Sequence, residues 1–99
     1  MVDSMDELEE RVRNRLYRMR DFAEELAAVR GRETSDDGTV TAEVDGNGAL
    51  VDLRLSSGIS RLTAEQFERV LVRTTTAAAR SAFERRGVLV TAFNEEITA

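Results

Sequence analysis

The chain has 99 residues and a net charge of -5, from 14 basic and 19 acidic side chains, with no His, Cys, Trp or Pro. Every basic residue is Arg. Without Cys or His there is no disulfide framework, thiolate nucleophile, imidazole base, Ser-His-Asp triad or zinc motif built on those residues. The chain therefore reads as non-enzymatic, with no metal and no cofactor. One domain spanning residues 1–99 is the natural count at this length. As a monomer it would bury only about 65% of the surface its unfolded chain exposes. The longest apolar run, Leu26 to Val29, is far short of a membrane span, and the acidic first ten residues lack the basic start of a signal peptide. A soluble, cytoplasmic protein with no membrane partner is the expectation.

Charge is segregated along the chain. Asp3, Asp6, Glu7, Glu9 and Glu10 carry the first ten residues, and Arg11, Arg13, Arg15, Arg18 and Arg20 the next ten. A helix is predicted from a capping box at Ser4, where Glu7 stands three residues on. Met5, Leu8, Val12, Met19, Phe22 and Leu26 recur at helical spacing, and Leu16 and Ala23 widen the stripe. The pattern runs to about Ala28, with Gly31 just beyond. On a helical wheel Arg11, Arg15 and Arg18 flank the stripe on one side, and Arg13 and Arg20 on the other.

Thr39 to Asp45 alternates apolar and polar residues, and so does Ala49 to Leu55. Gly46-Asn47-Gly48 between them is a tight-turn sequence, and Asp37-Gly38 is a second turn signal. A short strand over Arg32 to Ser35 would complete a three-stranded antiparallel meander. Asp45-Gly46-Asn47-Gly48 is a hairpin turn rather than a calcium loop, because Leu50 and Ser56 stand where that loop needs Gly and Glu. Ile59 and Leu62 are expected under the following loop. Thr63-Ala64-Glu65-Gln66 is a second capping box. The helix it opens carries Phe67, Val70, Leu71, Thr74, Ala77, Ala78, Ser81 and Ala82 on one face, with small residues that suit close approach to a sheet. Gly87 ends or weakens this helix. Residues 87–99 then read as a helical tail, since Leu89, Phe93 and Ile97 recur every fourth residue.

The Arg block has two readings. Arg stems can shield a dimer seam made of Met5, Leu8, Val12, Leu16, Met19 and Phe22 while their heads pair with Glu, as in Glu7–Arg11 and Glu9–Arg13. Alternatively, the guanidinium forks can grip DNA phosphates. A helix from Ser4 to Ala28 would be roughly 37 Å long, too long for one small sheet to cover. That overhang supports a homodimer on its own account.

The element order, helix, three-stranded meander, helix (an α+β class), resembles the YbaB/EbfC family over about residues 4–86. The resemblance is carried by the stretch from Gly38 through the turn Gly46-Asn47-Gly48 to Leu55, and by the small face Ala77, Ala78, Ala82 of the second helix. It implies a bacterial, homodimeric, nucleoid-associated protein that binds DNA. Some members are instead linked to type VII secretion loci. The alternative is therefore a dimeric protein-interaction or chaperone-like module with a protein partner and no DNA binding. The DNA-contacting candidates are Arg11, Arg13, Arg15, Arg18 and Arg20, where positive charge concentrates. Arg30 and Arg32 extend that surface, and Arg85 and Arg86 lie at the far end of the second helix.

Overall fold

The computed structural model describes residues 4–98, so Asp3 of the acidic segment and the last residue of the tail lie outside it. Helix α1 (Met5–Ala27) is followed by strands β1 (Arg30–Thr34), β2 (Val40–Asp45) and β3 (Leu50–Leu55). A 3-10 turn (Ser57–Arg61) then leads into helix α2 (Ala64–Thr98). The sheet is antiparallel in the order β1-β2-β3, the meander expected.

Both caps form. The Ser4 hydroxyl accepts from the Glu7 amide at 3.2 Å, which satisfies one of the donors α1 would otherwise leave open. The Thr63 hydroxyl accepts from the Gln66 amide at 3.1 Å, and the Gln66 side chain accepts from the Thr63 amide at 2.9 Å. The turns are where glycine is required. Gly38 and Gly48 have φ of 74° and 86°, a region costly for other residues. The Asp45 carboxylate accepts from the Ala49 and Asn47 amides at 3.0 and 2.9 Å, which lowers its pKa. The loop is thus a hairpin turn closed on its own carboxylate.

Two boundaries differ from expectation. Strand β1 starts at Arg30 rather than Arg32, because β2 runs to Asp45 and pairs Arg30 with it. Ser35 leaves the strand to build the turn, its hydroxyl donating to Asp37 at 2.7 Å. Helix α2 also passes through Gly87 without a break and carries the tail to Thr98. One Gly costs a helix about 1 kcal/mol relative to Ala, which is too little to stop a helix that still has packing beyond it.

The core is small. Val29, Ala42 and Val44 meet Ala78 and Ala82 of α2, with Val40 buried alongside. The helix lies very close to β1: a Cβ added at Gly31 would collide with the Ala78 carbonyl oxygen and the Ala82 amide. Only glycine fits there. Ile59 and Leu62 are half-buried, as plugs beneath the connection. The molecule is elongated, 72 × 19 × 15 Å, with a radius of gyration of 20.5 Å. A compact chain of this length would have about 13 Å.

The Gly31→Ala change should destabilise the protein by about 2–3 kcal/mol, because the clash is with backbone and no rotamer relieves it. A thermal melt followed by circular dichroism reads this directly; an unchanged midpoint would contradict the close approach. Asp37 gives a pH prediction. Its carboxylate accepts from the Ser35 and Thr39 hydroxyls at 2.7 Å each and from the Thr39 amide at 3.0 Å. These bonds lower its pKa from 3.8 to about 2. The folded value lies below the unfolded one, so the stabilisation is complete above pH 3.8 and vanishes as pH falls through about 2. Denaturant titrations should show Asp37→Asn less stable than the native chain at neutral pH, the gap closing across that window.

Candidate nucleic-acid interface

Helix α1 and the end of α2 lie side by side in opposite directions. Phe22 stacks on Phe93 with ring centroids 4.1 Å apart and planes 5° from parallel. One turn nearer the N-terminus of α1, the Arg18 Nε donates to both carboxylate oxygens of Glu96, at 2.7 and 2.9 Å. Arg18 also pairs with Glu25 at 3.5 Å and lies 5.5 Å from the centre of the Phe93 ring. The bond from Glu96 raises the Arg18 pKa above its ordinary value. With Phe93 opposite Phe22 and Glu96 opposite Arg18, α2 ends beside the middle of α1. The turns of α1 from Ser4 to Asn14 project beyond it by about 16 Å.

Arg11, Arg13 and Arg15 lie on or next to this projection. All three are exposed, and among the described residues none makes an ion pair. Among the described residues the expected pair Glu9–Arg13 does not form. These heads are available to a ligand and are spaced along one rod. The other candidates are placed differently. Arg20 rests 5.8 Å from the Tyr17 ring. Arg30 turns back and donates to the Ala27 and Val29 carbonyls at 3.0 and 2.7 Å, capping the end of α1. Arg32 is exposed on β1, and Arg86 is exposed on α2. Arg85 donates to the Arg30 carbonyl at 2.9 Å. The structure thus separates free from engaged guanidinium groups, which sequence reading treated as one block.

Of the seam residues, Phe22 is already covered by Phe93 of its own chain. Met5, Leu8, Val12, Leu16 and Met19 remain 46–68% exposed. Leu8, Val12 and Met19 face a groove of about 510 Å³ between the two helices, closed on the far side by Phe93 and Ile97 and rimmed by Arg11. Glu96, the partner that removes Arg18 from the free set, lies 78 residues away in sequence. Its only forewarning is the fourfold spacing of Leu89, Phe93 and Ile97, which predicts that the tail has a face to bury.

A long capped helix, an antiparallel meander and a second helix, with exposed Arg11, Arg13 and Arg15 following the acidic first turns of α1, define an α-β-β-β-α protein. The profile of the YbaB/EbfC DNA-binding family matches residues 1–94, and the chain belongs to that family. Among solved structures, the fold is similar to that of an uncharacterised protein, HP0035, from Helicobacter pylori. The TM-score is 0.63 at 20% identity over 95% of this chain and 98% of that one. Comparison with curated proteins returns no match. No helix among the described residues is long and apolar enough to cross a membrane.

The Phe22–Phe93 stack is the main brace holding the tail to α1. Replacing Phe93 with Ala should cost about 0.5–1.5 kcal/mol of aromatic pairing beyond lost burial. Hydrogen exchange should then speed up in residues 88–98 and leave the sheet protected. Equal acceleration throughout would show instead that the tail is part of the core.

Proposed function

We propose that the protein is a non-enzymatic, nucleoid-associated homodimer that binds duplex DNA through its phosphate backbone with little preference for sequence. The observation that carries this reading is the set of Arg11, Arg13 and Arg15, exposed on or next to the projecting part of α1 and without an ion pair among the described residues. A guanidinium matches two phosphate oxygens at once and releases condensed counterions on contact. Membership of a DNA-binding family supports the same reading. Arg20 and Arg32 extend the surface, whereas Arg18 and Arg30 must first give up intramolecular partners. Arg30 is the less available of the two, because its bonds finish the end of α1. Base readout has no evident device, since no helix-turn-helix pattern or basic arm accompanies the block. A cytoplasmic location goes with this role.

The net charge of -5 is compatible with it. Screening limits the reach of exposed charges to about 8 Å at physiological salt, so the acids of the sheet and of α2 weigh little on a phosphate held by Arg11, Arg13 and Arg15, whereas Glu7, Glu9 and Glu10 on the same turns of α1 weaken its binding. The exposed apolar strip of α1 favours a second reading, a protein-interaction module without DNA. Binding of duplex DNA followed by fluorescence anisotropy separates the two. The logarithm of the affinity should fall with the logarithm of salt, with a slope of about -0.9 for each phosphate contacted. Reversal of Arg11, Arg13 and Arg15 to Glu should flatten that slope and abolish binding at physiological salt. Absence of binding even at low salt would sink the DNA reading. A nuclease-resistant, stoichiometric protein partner recovered by pull-down would then favour the second.

A further inference from the structure

The apolar strip of α1 reads the same from either end. Met5, Leu8, Val12, Leu16 and Met19 stand three, four, four and three residues apart, with Met outermost, Leu inside and Val at the centre. At about 100° per residue all five fall within a stripe roughly 80° wide. Each is 46–68% exposed, and a phosphate backbone has no use for any of them. The two flanks of the strip differ in charge. Arg11, Arg15 and Arg18 border it on the side of Phe93 and Ile97. Glu9 and Arg13 border it on the other side, where the helical wheel also places Asp6 and Arg20. Among the described residues Asp6, Glu9 and Arg13 make no ion pair.

We infer that the projecting rod of α1 pairs with the same rod of a second copy, antiparallel and centred on Val12. An antiparallel pair matches its apolar side chains only where their spacing is alike in both directions, and here it is. A two-fold axis at Val12 sets Leu8 level with Leu16 of the other copy, and Met5 level with Met19. The same axis keeps like flanks together. Glu9 then falls beside the other copy's Arg13, and Asp6 beside its Arg20, so the acidic first turns lie along the Arg block. A parallel pair would lay acidic turns against acidic turns and Arg block against Arg block. The strip is one helix wide and about 21 Å long. It therefore gives each copy less than the about 800 Å² of a standard interface. Such a contact joins homodimers to one another and is additional to whatever face makes each of them. It does not rest on DNA binding. Arg11 and Arg15 of both copies stay open on the opposite flank, where paired rods present four guanidinium groups together.

The chain has no Cys, so single cysteines report the register. Two Val12→Cys thiols would face each other across the axis, whereas two Met5→Cys thiols would lie about 21 Å apart. In nucleic-acid-free protein under mild oxidation, Val12→Cys should form intermolecular disulfides at least about tenfold faster than Met5→Cys. Random collision predicts the reverse order, since Met5 is 68% exposed and Val12 50%. Mixing Met5→Cys with Met19→Cys chains should give the mixed disulfide faster than either chain links to itself. In the Val12→Cys background, Glu9→Arg and Arg13→Glu should each slow the reaction, and the two together, which exchange the charges, should restore it. Light scattering should show that the linked Val12→Cys species exceeds the mass of the native one. Met5→Cys linking as fast as Val12→Cys, no mixed product, or no rescue by the exchanged pair would overturn the antiparallel rod contact. A linked species of unchanged native mass would place the contact within one homodimer and overturn it as a junction between them.

Discussion

The contact on which the rest depends is the approach of α2 to β1 at Gly31. Because that residue has no side chain, the helix backbone at Ala78 and Ala82 settles directly against the strand. The contact places α2 over β1 and β2 and therefore not over β3. It also sets the line along which the helix leaves the sheet, so that its last turns meet α1 at Phe22 and Arg18. A bulkier pair of surfaces would have lifted the helix and changed both outcomes. The price of so close a fit is a core with few large side chains: Val29, Val40 and Val44 are the biggest in it.

A protomer with so little buried volume is held by directional devices as much as by apolar burial. Reciprocal capping at Thr63 and Gln66, the Ser4 cap and the carboxylate-closed turns at Asp37 and Asp45 each satisfy backbone donors that would otherwise need water. Such devices fix local geometry precisely but add little to global stability. They suit a protein that must keep a long helix straight and exposed. The projecting turns of α1 keep their shape by capping and helix propensity, since little packs against them.

Much of this was legible in the chain. The caps at Ser4 and Thr63, the two glycine turns, the alternation of β2 and β3 and the small face of α2 follow from neighbouring residues and stand where the sequence predicts them. Local chemistry sufficed because each rests on contacts three or four residues apart, or on the two-residue period of a strand. The first strand begins two residues before its local signal, since its start is decided by pairing with Asp45, fifteen positions on from Arg30. Gly31 was read as a residue just past a helix, and its actual constraint comes from a helix that the sequence reaches only 47 residues later. The continuation through Gly87 followed from the spacing of Leu89, Phe93 and Ile97, against the local cost of glycine.

The chain is small and acidic, lacks the residues of common catalysis, and segregates its charge into adjacent blocks. By itself the sequence determined the elements, their caps, the position of the Arg block on a helix and the resemblance to the family, because all of these are set by short-range spacing. Which Arg heads are free was decided only by the tertiary structure. Arg18 is taken by Glu96 across 78 residues, and Arg30 by carbonyls exposed where α1 ends. Which apolar face lacks cover was decided there too. Alternation says that β3 has an inside, but whether α2 is wide enough to fill it depends on where one glycine lets the helix settle.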